Sequence, residues 1–200
     1  MGYRDTWLGH AGAVTRHSEV ILHALDRETP REPARLLDVG VENGGSLEVW
    51  QQCLPEGSDV LGMDIDPRCA DLGLPVVTCD VTDRDAVKAA LRGRWFDLIV
   101  DSTGTSSPWT WAFLRPGGRL LLEDYDPQAI RDLVSAVAED GESWLPVEEI
   151  MRVTVFPRIA VVEKRYPRVI PYIDIMVGNF ADVVPEEDLI AQGIKRVLVD

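Results

Sequence analysis

The stretch Asp38-Val39-Gly40-Val41-Glu42-Asn43-Gly44-Gly45-Ser46 continues the apolar run Arg35–Val39 and leads into the helix-like segment Ser46–Cys53. A strand-length apolar run, a glycine-rich turn and then a helix make the opening of a βαβ unit. Working outward, the same alternation recurs. Val60–Asp64, Val76–Cys79, Phe96–Val100 and Arg119–Glu123 are short runs rich in Val, Leu, Ile or Phe, the composition of strands buried on both faces. Between and after them the helix candidates are Arg84–Leu91, Pro108–Leu114 and Pro127–Glu139; the last has Asp126 as an acidic N-cap, proline at its first position and Gly141 beyond its end. Ile150–Phe156 and Arg158–Lys164 are two β-rich runs with no helical stretch between them, which predicts a terminal antiparallel hairpin. The expected fold is therefore α/β: a doubly wound, mostly parallel Rossmann-like sheet closed by that hairpin.

In this reading residues 35–165 form the central domain, residues 1–34 a helical lid or packing segment, and residues 166–200 an extension of unassigned role. The first segment has helical spacing over Thr15–Glu28. The last contains a strand-like run, Tyr172–Val177, and a helix candidate, Glu186–Gln192.

Thirty-four acidic against twenty basic residues give a formal net charge of -14, which repels a phosphate backbone, and the bases are scattered rather than clustered. Nucleic acid is thus excluded as a partner. No apolar run is long enough to span a bilayer and the amino-terminal residues are too polar for a signal peptide, so a cytoplasmic protein without membrane contact is expected. Cys53, Cys69 and Cys79 are odd in number and lack CxxC spacing; they read as small core residues rather than as a disulfide framework or a zinc site.

The glycine loop narrows the ligand. A dinucleotide fingerprint beginning at Gly40 needs glycine where this chain has Glu42, and a carboxylate beside a diphosphate is repulsive. No Gly-Lys-Ser/Thr ends the loop, which removes a P-loop. S-adenosylmethionine (SAM) carries a sulfonium and an ammonium group and no phosphate, so an acidic loop suits it. Asp38, Gly40, Glu42, Gly44 and Ser46 are the candidate loop contacts. Asp64, ending the second strand, is placed to accept the ribose hydroxyls, and Asp80, after the third, to meet the adenine amino group. Asp66, followed by Pro67, reads as a turn residue.

Gly40–Leu47, Gly62–Arg68, Pro116-Gly117-Gly118 and Leu122-Glu123-Asp124 together resemble class I SAM-dependent methyltransferases, and within them the cephalosporin-hydroxylase-like and macrolide-sugar O-methyltransferase group. The resemblance covers Arg35 to Asp126. It implies a divalent metal, Mg²⁺, held by Asp101 at the end of the fourth strand and by Glu123 and Asp124 at the end of the fifth. The residue types agree, since three neighbouring carboxylates repel one another without a cation and oxygen ligands favour magnesium over zinc. The competing structural reading makes Asp124 and Asp126 helix caps and Asp101 a turn residue.

The chain departs from the group in one place. Where the pattern has a second Asp and a His after the fourth-strand acid, this sequence reads Asp101-Ser102-Thr103-Gly104-Thr105, so the general base implied by the resemblance is missing. Deprotonation then falls to His10 or His17, or to a metal that lowers the acceptor's pKa. Trp7, Trp109 and Trp111 read either as lining for an acceptor pocket or, more commonly, as core. The function expected is Mg-assisted O-methylation of a small hydroxylated metabolite, a natural-product or sugar intermediate. Alternatives are another SAM-dependent reaction such as carboxylate methylation, a catalytically inactive SAM-binding partner subunit and, disfavoured by Glu42, a dinucleotide oxidoreductase. The partner implied is a small-molecule acceptor, with self-association left open.

Overall fold

The computed structural model describes Thr6 and residues 25–103, 108–139, 141–156 and 159–166. Within these, one seven-stranded sheet runs β1 (Arg35–Val39), β2 (Asp59–Asp64), β3 (Val76–Thr78), β4 (Phe96–Asp101), β5 (Leu114–Glu123), β6 (Ile150–Phe156) and β7 (Ile159–Lys164) along the chain. Its spatial order is β3-β2-β1-β4-β5-β7-β6. The first five strands pair in parallel, and β7 inserts antiparallel between β5 and β6. The helices are α1 (Gly45–Cys53), α2 (Arg84–Ala90), α3 (Pro108–Trp111) and α4 (Pro127–Glu139), with 3₁₀ turns at Pro67–Leu72 and Val147–Glu149. The doubly wound, mostly parallel sheet with a terminal antiparallel hairpin is the architecture expected from the sequence. Strand order reverses between β1 and β4, the position at which open α/β sheets bind ligands beyond the carboxyl ends of their strands.

The central strands are buried because they are sandwiched. Leu37, Val39, Leu61, Met63, Ile99, Leu120 and Leu122 face α2, α3 and α4 on one side; Leu36, Val60, Leu98, Leu121 and Val161 face α1 on the other. Helix α1 puts Leu47, Val49 and Trp50 into that second layer, each fully buried, so truncating Leu47 to alanine would cost about 2–5 kcal/mol. Residues 25–28 are helical; Leu25 is fully buried in the same layer and Glu28 forms an ion pair with Arg119 of β5.

One element differs from its expected bounds. The helix expected over Pro108–Leu114 ends at Trp111, because Leu114 already pairs with Phe96 and begins β5. The strand then passes through Pro116-Gly117-Gly118 with a register shift before resuming at Arg119. Asp126 caps α4 as expected, its Oδ1 accepting the Gln128 amide at 2.9 Å.

The three cysteines carry free thiols; Cys69 and Cys79 are buried and Cys53 is half-buried. Trp111 is in the core with Nε1 donating to Glu149 at 2.8 Å, and Trp109 packs against the same layer beneath the Arg84 guanidinium. Both follow the core reading; Trp7 lies outside the described residues. No helix among the described residues is long and apolar enough to cross a membrane.

Candidate functional site

The glycine loop starts from backbone geometry that side chains resist. Gly40 and Gly44 have φ of 92° and 84°. A Cβ at Gly40 would sit 2.7 Å from Ser102 Oγ, and one at Gly44 would sit 2.7 Å from Leu74 Cδ1, so both positions are closed to larger residues by shape as well as by φ. The Gly44 carbonyl accepts the Glu48 amide and starts α1, while the Gly40 amide donates to Met63 O of the adjacent strand at 2.9 Å. Glu42, at φ 50° and exposed, is a non-glycine residue in the same left-handed region.

Asp64 braces this loop. Its Oδ2 accepts the Glu42 amide at 3.0 Å and its Oδ1 accepts the Asp66 amide at 2.8 Å, which ties the loop after β1 to the turn after β2. Asp66 does the turn work expected of it, capping Arg68 N at 2.9 Å. Asp80 accepts both the amide and the hydroxyl of Thr82, at 2.9 and 2.7 Å, so in this structure it organises the turn after β3; the resulting donors hold its carboxyl below its ordinary value.

Three buried carboxyls line the carboxyl ends of three adjacent strands: Asp38 on β1, Asp101 on β4 and Glu123 on β5. Asp38 Oδ2 accepts the Ser46 hydroxyl at 2.7 Å, so Ser46 spends its hydroxyl on Asp38. Burial pushes the Asp38 carboxyl up to about 7, with the charges of Asp101 and Asp64 adding to it and Ser46 opposing. Asp101 Oδ1 accepts the amide and hydroxyl of Thr103, at 3.0 and 2.6 Å; burial nonetheless raises this acid to about 6. Its Oδ2 meets no partner at hydrogen-bond distance among the described residues, although the Tyr125 hydroxyl lies near enough to favour the charged form. Glu123 is raised to about 8 by burial and by the charges of Asp38, Asp124 and Asp101.

This differs from the expected metal trio of Asp101, Glu123 and Asp124. Register puts Asp101 opposite Leu122, so Glu123 lies one residue beyond it, and Asp124 then leaves the strand at φ 52° with an exposed side chain. Among the described residues no three His, Cys, Asp or Glu side chains converge as a metal-ligand set. Asp38, Asp101 and Glu123 nonetheless present hard oxygen donors whose mutual repulsion a cation would offset.

Sequence reasoning missed that Asp38 belongs to the acidic row. A buried acid inside an otherwise apolar strand was the signal. It also missed Tyr125, whose ring stacks on Trp144 at 5.9 Å and whose phenol is held well above its ordinary value by burial and the Asp101 charge. His10 and His17 lie outside the described residues.

Among solved structures the chain is similar to the MycE methyltransferase from the mycinamycin biosynthetic pathway. In complex with Mg and SAH that protein matches with a TM-score of 0.69 at 19% identity, covering 86% of this chain and 58% of MycE. Its complex with Mg, SAH and mycinamycin VI matches with a TM-score of 0.68 at 19% identity, over 86% and 57% of the two chains. This chain shares the fold of MycE. It spans less than three fifths of the length of MycE in these two comparisons. The sequence matches no protein-family model and no curated protein. Within the methyltransferase fold, the β1–α1 loop, Asp64 and the acidic row all fall on the carboxyl edge of the sheet, at the strand-order reversal.

Proposed function

We propose that the chain is a SAM-dependent methyltransferase that transfers a methyl group to an oxygen of a small hydroxylated acceptor. The observation that carries this reading is the β1–α1 loop: two glycines at positive φ shape a tight turn at the carboxyl edge of the sheet, and Glu42 and Asp64, joined through the Glu42 amide, give that turn negative charge. Such a lining suits a cationic sulfonium and ammonium, and opposes a diphosphate.

When bound, SAM would supply an electrophilic methyl group for an acceptor oxygen. The chain's own part is to bind, orient and tune charge. Gly40 and Gly44 hold the turn that would face the methionine portion, and Asp64, already fixed by two loop amides, would present its carboxylate to the ribose hydroxyls. Fixing both reactants in one geometry is worth several kcal/mol of barrier, of order 7–11 in well-oriented systems. The buried acids Asp38, Asp101 and Glu123 put negative charge or a held proton beside the place where an acceptor hydroxyl would lose its own.

Magnesium is the finer part of the proposal. Asp101 and Glu123 would hold it, with Asp124 completing the set only on turning its exposed side chain inward, and the ion would supply positive charge that offsets their repulsion and lowers the pKa of a bound hydroxyl. With Ser102 and Thr103 where a base is implied by the resemblance, this is the chemistry that reduces the need for one. A natural-product or sugar-derived acceptor is the class we assign.

The deciding experiment is calorimetry and native mass spectrometry of the purified chain with S-adenosylhomocysteine (SAH), NAD and Mg²⁺. Micromolar SAH binding without NAD binding supports the reading, and the reverse removes it. SAH binding with no methyl transfer to any hydroxylated acceptor would favour the inactive partner subunit instead.

A further inference from the structure

Helix α4 does not close fully onto the sheet at its amino-terminal end. Between it and the adjoining ends of β5, β6 and β7 lies a cavity of about 890 Å³, whose walls include Leu122, Ile130, Val134, Val155, Ile159 and Ala160. This is the size of a pocket for a drug-sized molecule and its walls are mostly apolar, the usual character of a small-molecule site. Val134 is 39% and Val155 54% exposed, so apolar surface on both banks is open to solvent. Polar groups are few and sit at defined places. Asp124 and Tyr125 form one end of the wall, and Arg131 and Ser135 stand on α4.

The position matters more than the volume. The register Glu123↔Ile159 places the start of β7 level with the end of β5, so the cavity opens on the carboxyl edge that also carries the glycine loop. Asp124 and Tyr125 are shared: Asp124 adds its charge to that felt by Glu123, and Tyr125 lies against Asp101, while both line the cavity. The pocket therefore meets the neighbourhood of the acidic row through Asp124 and Tyr125 and is separate from the wall formed by Gly44, Leu72 and Leu74 on the far side of β1.

We infer that this groove holds the apolar body of the acceptor, with the hydroxyl to be methylated presented at the Asp124 end. The inference rests on the methyltransferase reading and makes it more specific. It assigns an acceptor with an extended hydrocarbon or alicyclic skeleton bearing a hydroxyl, rather than a free sugar or a phosphorylated metabolite. A free sugar would leave the Val134 and Val155 banks wet, and a phosphate would meet Asp124 at the reacting end. Val134 and Ser135 are the specificity-determining positions, because they face the groove from exposed sites on α4 without belonging to the acidic row.

The test uses the full chain and a neutral apolar fluorophore, N-phenyl-1-naphthylamine, titrated with and without saturating SAH. Wild type is compared with Ser135→Trp, which fills the groove, Val134→Asp, which charges it, and Met151→Asp, which charges an exposed apolar position of β6 that does not line the cavity. SAH affinity is measured on all four proteins and serves as the check on folding. The expected result is saturable fluorophore binding by wild type that persists with SAH bound, weakens at least tenfold in Ser135→Trp and Val134→Asp, and changes less than twofold in Met151→Asp. Equal binding by wild type and both groove variants, displacement of the fluorophore by SAH, or no binding by wild type overturns the assignment. Groove binding in a chain that does not bind SAH overturns the acceptor role through the cofactor reading, and the SAH titration alone identifies that case.

Discussion

Asp64→Asn separates the bracing role of this residue from its proposed contact with cofactor. The carboxylate accepts two backbone amides, Glu42 N at 3.0 Å on Oδ2 and Asp66 N at 2.8 Å on Oδ1. Asparagine keeps one acceptor oxygen and turns the other into an NH₂ group that faces a donor. One charge-assisted bond is lost and the other becomes neutral. Hydrogen bonds to charged groups contribute about 1.5–3 kcal/mol each, and the Glu42 side is exposed, so the folded chain should lose roughly 1.5–2 kcal/mol. If the carboxylate also takes ribose hydroxyls, SAH binding falls by a further 1.4–2.8 kcal/mol or so, about 10- to 100-fold in affinity. Urea unfolding measures the first quantity and calorimetry with SAH the second. The combination that refutes the argument is a normal SAH affinity in a variant whose urea midpoint has dropped, because it leaves Asp64 as a loop brace and nothing more.

Three other outcomes are expected. Gly40→Ala adds a Cβ at φ 92° that displaces the Ser102 hydroxyl from Val39 O, so stability should fall by about 2–4 kcal/mol in chemical denaturation. A loss below half a kcal/mol would contradict the close approach of the β1 and β4 loops. If Asp101, Glu123 and Asp124 hold Mg²⁺, Glu123→Gln should weaken calorimetric Mg²⁺ binding at least tenfold while SAH affinity is retained; equal metal affinity in both proteins would remove magnesium from the mechanism. Asp38 and Glu123 are raised to about 7 and 8, so the folded chain holds protons that the unfolded chain releases above its ordinary carboxylate range. Their stabilisation is complete below that range and is lost as pH rises through 7 to 8. The metal-free urea midpoint should therefore fall between pH 5.5 and 8.5, and less steeply in Asp38→Asn. A midpoint that rises across that interval would count against the buried row.

The parts of this molecule that the sequence makes legible are those governed by local pattern. Arg35–Val39 reads as a strand because its apolar run is bounded by Pro33 and Gly40, and Pro127–Glu139 reads as a helix because cap, proline and periodicity agree. Leu114 was misplaced because Trp109-Thr110-Trp111-Ala112-Phe113 has no feature that stops a helix; only its pairing with Phe96, distant in sequence, makes it a strand residue. The candidate site shows the same division. Gly40, Gly44 and Asp64 announce themselves by residue type at strand ends. Asp38 joins the acidic row through tertiary burial, Asp124 leaves it through a positive φ, and the α4 groove exists only because three strand ends and a helix meet there. None of these depends on neighbours in sequence.

The insertion of β7 between β5 and β6 has a consequence for the chain while it is being made. Until Ile159–Lys164 leaves the ribosome, β5 presents an unpaired edge, and Leu120, Leu121 and Leu122 are held without the partners Val162, Val161 and Ala160. Translation at ~5–20 residues per second leaves that edge open for seconds, long compared with the time needed to form the βαβ units before it. Nascent chains stalled between α4 and β6 should therefore depend on chaperone capture and aggregate without it, whereas chains released after Lys164 should not.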